Sequence, residues 1–110
     1  MILIMCMGGN CCPDRLLVTD EICGSFDTTV ATVPLTVYDQ DTFIISSGTV
    51  SIFYDQGTST TITFSVNGTP FSTPVPKGNT ISHTFRNIDS VSIDTTGAIG
   101  KYCITLHYRL

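Results

Sequence analysis

The stretch TITFSVNGTP, residues 61–70, decides the fold. Ile62, Phe64 and Val66 alternate with Thr61, Thr63 and Ser65, the period of two that turns one side of a strand inward and the other to water. Asn67-Gly68 follows at once. These two residues tolerate the positive φ that a tight two-residue hairpin demands. Thr69 to Val75 then forms the return strand, and Pro70, Pro74 and Pro76 suit a sheet edge, where a missing N–H costs little.

The same pattern extends in both directions. Upstream, Thr49 to Asp55 sets Val50, Ile52 and Tyr54 against Thr49, Ser51 and Phe53 and ends at Gln56-Gly57. Leu35 to Asp39 and Phe43 to Ser46 flank the polar turn Asp39-Gln40-Asp41, and Leu16 to Cys23 with Ser25 to Val30 reads as a first strand pair. Downstream, Lys77-Gly78-Asn79 makes a turn before Thr80 to Arg86, which places Ile81, His83 and Phe85 on one face. Ser90 to Asp94 and Lys101 to Arg109 close the chain. No segment sustains a helical period. Short, turn-punctuated strands predict an all-β sandwich or jelly roll, and leave the strand order open.

The chain has 110 residues, enough for one domain with a hydrophobic core of its own. Charged residues make up 13% of it, against roughly 25% in ordinary soluble domains. Its few cations, Arg15, Lys77, Arg86, Lys101 and Arg109, are scattered, and the net charge is −4. Nothing here forms the basic patch that nucleic acid or an anionic membrane requires, so we expect neither as a partner. A surface poor in charge and rich in Thr and Ser suits contact with copies of the same chain; it also suits an ordinary secreted β-domain. The opening MILIMCMGGN lacks a basic stretch and a cleavage site after a long apolar core, so we expect no export signal and no membrane anchor.

Candidate chemistry is sparse. His83 and His107 each sit within an expected strand, and no nucleophile motif accompanies them, so enzymatic activity is not expected. Cys11, Cys12, Cys23 and Cys103 lack the paired knuckle spacing of zinc sites, and Asp39, Asp41 and Asp55 lack the spacing of a calcium loop. We expect no metal and no cofactor. Asn67-Gly68-Thr69 matches a glycosylation sequon, but the hairpin already accounts for it.

The five cysteines are more informative. Composition changes at Pro13, which divides residues 1–13, an N-terminal connector arm, from residues 14–110, the β-domain. The arm holds Cys6, Cys11 and Cys12. Neighbouring Cα atoms lie about 3.8 Å apart, closer than the usual ~4.4–6.8 Å of a bridged pair, so a ring between Cys11 and Cys12 would be strained. In an extended arm their side chains point to opposite sides and find two different partners. The domain offers two, Cys23 and Cys103. Two routes satisfy the set. The arm folds back on its own domain, stiffened at Pro13, or it reaches a neighbour, since twelve extended residues span up to roughly 40 Å. Gly8 and Gly9 supply a hinge for the second route, which the geometry favours.

The segments NCCPDR, DEICGSF, FSVNGT and GKYCITLHY together resemble the endospore-appendage subunits of Bacillus-group bacteria, over almost the whole chain. The resemblance implies an eight-stranded jelly roll behind a flexible connector. It also implies a homopolymer, wound helically or built of stacked rings, forming a pilus on the spore surface. The short arm and the CCPDR junction favour rings. It further implies that Cys11 and Cys12 are connector cysteines bonding, across chains, to Cys103 and Cys23 respectively, with Cys6 left over. Synthesis in the mother-cell cytoplasm, followed by release into oxidising surroundings, would reconcile the cysteines with the missing leader. Other spore-surface proteins are further candidate partners. The rival reading is a monomeric jelly-roll binding or adhesion module, or a minor adaptor subunit of the spore coat.

Overall fold

The structure, a computed structural model, describes residues 17–40 and 46–109. The arm, with Cys6, Gly8, Gly9, Cys11, Cys12 and Pro13, lies outside the described residues. So do Asp41 and most of the strand expected at Phe43 to Ser46. Among the described residues there is no helix, and every strand pairing is antiparallel.

Two four-stranded sheets face each other. The first holds β1 (Leu17–Asp27), β3 (Ser46–Gly57), β8 (Thr80–Phe85) and β10 (Ala98–Arg109), in the order β1-β10-β3-β8. The second holds β2 (Leu35–Asp39), β5 (Phe64–Val66), β6 (Thr69–Pro70) and β9 (Ser90–Ile93), in the order β2-β9-β5-β6. A separate two-stranded ribbon joins β4 (Thr61–Ile62) to β7 (Val75–Pro76). The sheet pairings nest: β1 with β10, β2 with β9, β3 with β8, and β5 with β6. A long hairpin rolled on itself pairs in this way, its centre at Asn67-Gly68. There φ is 56° and 78°, as the positive-φ turn requires.

The core lies between the sheets. Val50, Ile52, Tyr54 and Ile104 from the first sheet meet Phe64, Val91 and Ile93 from the second, all fully buried. Each such side chain contributes about 1.5–3 kcal/mol over its exposed state. Tyr54 brings a hydroxyl into this layer and donates it to the Ser59 carbonyl at 2.6 Å, as a buried polar group requires. Buried Thr28 ties the end of β1 to the start of β10: its Oγ1 donates to the Thr95 carbonyl at 2.7 Å and accepts from the Ala98 amide at 2.9 Å.

The architecture departs from the pattern in three places. The expected break at Gly24 does not occur, and β1 runs unbroken to Asp27. Gly24 instead makes room for its cross-strand partner Tyr102, whose hydroxyl would lie 2.6 Å from any Cβ placed there. The expected strand Thr61 to Asn67 is cut at Thr63, because its amide bonds the Thr95 Oγ1 at 2.9 Å and its carbonyl takes the Asp94 amide at 3.0 Å. One half therefore joins β7 and the other joins the second sheet. The return strand expected over Thr69 to Val75 reduces to β6 and β7, at a sheet edge and in the ribbon, consistent with its prolines.

Candidate disulfide and assembly site

On β1 and β10, odd-numbered residues face away from the core and even-numbered ones toward it. Phe26, Ala98, Ile104 and Leu106 are buried, while Glu21, Cys23, Ser25 and Lys101 are exposed. Register then decides what meets on the outer face. Cys23 lies directly opposite Cys103, and the two are joined by a disulfide with a Cα–Cα separation of 4.1 Å. The bridge links the first and last strands of the described domain, 80 residues apart in sequence.

The outer face around it is built of short hydroxyl side chains in rows across the strands. Cys23, Cys103, Ser51 and Ser82 form one row; the Ser51 and Ser82 hydroxyls lie 2.6 Å apart. On one side runs Glu21, Thr105, Thr49 and Thr84, with Thr49 and Thr84 bonded at 3.1 Å. On the other runs Ser25, Lys101, Phe53 and Thr80. Within these three rows the charges are Glu21, two residues before Cys23, and Lys101, two residues before Cys103. Toward the far end of the strand pair, Tyr108 donates to Asp20 at 2.7 Å, and that carboxylate holds the phenol above its ordinary pKa. At the opposite end of β1, bonds from the Thr29 side chain and amide hold the Asp27 carboxyl below its usual range.

Of the four cysteines singled out in the sequence, the structure thus brings together Cys23 and Cys103, within one chain. Cys11 and Cys12, their implied partners from other chains, lie outside the described residues. The bond between the two domain cysteines escaped the sequence reading because it depends on which strands pair, and side-chain alternation does not carry that information. His83 lies against the Phe71 and Phe85 rings at 4.9 and 4.8 Å, and His107 Nδ1 lies 3.1 Å from the Thr19 hydroxyl. Among the described residues no three His, Cys, Asp or Glu side chains form a group able to hold a metal.

Each sheet also ends in strands with one unpaired side among the described residues: β1 and β8 in the first, β2 and β6 in the second. Such edges carry free N–H and C=O groups. Fold and site together define a class: an antiparallel two-sheet β-domain with open edges and an exposed cystine on one outer face. The model of the endospore appendage family matches residues 9–110, and the chain belongs to that family. A solved structure from work describing Bacillus endospore appendages as disulfide-linked pili has a similar fold, with a TM-score of 0.71 at 24% identity. The likeness covers 92% of this chain and 96% of that one. None of the curated proteins matches the chain.

Proposed function

We propose that this chain is the structural subunit of a spore-surface pilus, a homopolymer joined side to side by its sheet edges and end to end by its N-terminal arm. The observation that carries this reading is the family match, which runs from just before the double cysteine to the last residue. The nested strand order supports reading the eight strands of the two facing sheets as a jelly roll, residues 14–110, behind a connector of residues 1–13.

The physics of the assembly has two parts. Unpaired edge strands are templates for a neighbour's strand, and an array multiplies modest contacts because each subunit is held by several others. The arm supplies covalent links, Cys11 to Cys103 and Cys12 to Cys23 of neighbouring chains, with Gly8, Gly9 and Pro13 as its hinge. In this scheme the Cys23–Cys103 bridge is the state before linkage. Converting one disulfide and two thiols into two disulfides releases two electrons and two protons, which an external oxidant such as dioxygen accepts. The low charge of the chain, 13%, keeps repulsion between copies small.

Electron microscopy of the purified protein tests the reading. Filaments are expected for the parent chain, and shorter, mechanically weaker ones for Cys11→Ser/Cys12→Ser, whose domains still fold. A parent that stays a 12 kDa monomer at high concentration on size-exclusion chromatography, or a variant as resistant to pulling and denaturant as the parent, contradicts it.

A further inference from the structure

We propose that the Cys23–Cys103 bridge is a polarised exchange site for an aliphatic thiolate: the thiolate attacks Cys23 Sγ, forms a mixed disulfide there, and expels Cys103 as the thiolate. One disulfide bond breaks and one forms, so the step needs no oxidant. The incoming sulfur's electron pair makes the new bond, and the old bond's pair leaves on Cys103.

Two observations set this direction. The first is access. Cys23 is exposed, whereas Cys103 is half-buried between two strands. The second is line of approach. Displacement at sulfur runs in line with the bond being broken. Cys23 stands on β1, the outermost strand of its sheet among the described residues, whereas Cys103 stands on β10 with β3 and its hydrogen-bonded Ser51–Ser82 row beside it.

Identifying the attacking thiol as Cys11 or Cys12 of another copy rests on the function proposed above; the polarity of the bridge does not. If the thiol comes from another copy, linkage is ordered. The first covalent joint forms at Cys23 by exchange alone. The second, at Cys103, waits for oxidation.

Two experiments separate these claims. In the full chain carrying Cys6→Ser/Cys11→Ser/Cys12→Ser, glutathione is the probe. Brief exposure, quenching with N-ethylmaleimide and peptide mapping are expected to find glutathione on Cys23 and maleimide on Cys103 in clear excess over the reverse. Folding of the variant is checked by circular dichroism. Free thiols at both positions beforehand, equal labelling or a preference for Cys103 overturns the proposal. In the second experiment the unaltered chain is oxidised without added thiol and sampled over time. Joints from Cys23 to Cys11 or Cys12 appearing before any at Cys103 assign the thiol to another copy. Glutathione labelling as expected, with no joint between chains, keeps the polarity and overturns the linkage reading.

Discussion

Gly24 illustrates how a single residue misleads a pattern and then explains the structure. In the sequence it falls between the two runs, Leu16 to Cys23 and Ser25 to Val30, that read as a first strand pair. In the fold it sits mid-strand, because the ring of Tyr102 lies across it from β10, an aromatic cover over a strand glycine. Gly24→Val should destabilise the domain by about 1–3 kcal/mol through overpacking against that ring. Thermal denaturation of Gly24→Val, Tyr102→Ala and the double variant checks this. The double variant should lose much less than the sum of the single losses, since removing the ring removes the clash. Additive losses would mean that the glycine serves some other purpose. At this scale the residues inside the core were legible: the alternation at Val50, Ile52 and Tyr54 and at Ile62, Phe64 and Val66 named side chains that are buried. Space needed by a distant partner, as at Gly24, leaves no mark on the neighbouring residues.

Elements depend on residues far from them in sequence. The β5–β6 hairpin is pinned through Asn67, whose Nδ2 donates to the Asn87 carbonyl at 2.8 Å while its Oδ1 accepts from the Asp89 and Ser90 amides at 2.6 and 3.1 Å. The turn chemistry of Asn67-Gly68 was readable because it is local; the second task of the asparagine was not, since it spans 20 residues or more. Asn67→Gly keeps the backbone conformation and loses these bonds, and should cost about 1–2 kcal/mol. Asn67→Ala adds about 1 kcal/mol or more for a left-handed alanine. Denaturant unfolding should rank parent, glycine variant and alanine variant in that order; an alanine variant as stable as the glycine one would remove the left-handed turn from the account. The cut at Thr63 follows the same logic: a side chain from Thr95 takes a backbone amide that the pattern assigns to a ladder.

For the whole molecule, the decisive feature is the meeting of the first and last described strands. It places Cys23 against Cys103 on an outer face of a sheet whose end strands, β1 and β8, each have one unpaired side among the described residues. The fold class was legible because strand periodicity and turn residues recur along the chain. The pairing of its ends was not, because contacts across 80 residues are decided by how the sheets roll up. The sequence shows cysteines in both the arm and the domain; the covalent state of the domain pair needed the strand register. Strength in the proposed filament belongs to bonds between subunits, and bridge mapping tests that claim most directly. Filaments are dissolved in denaturant without reductant, the remaining thiols are blocked, and the disulfide-linked peptides are sequenced. The account predicts Cys11 and Cys12 bonded to Cys103 and Cys23 of other chains, and chains that separate only on reduction. Filaments that fall apart into single chains before reductant is added, each with Cys23 still bonded to its own Cys103, would contradict it.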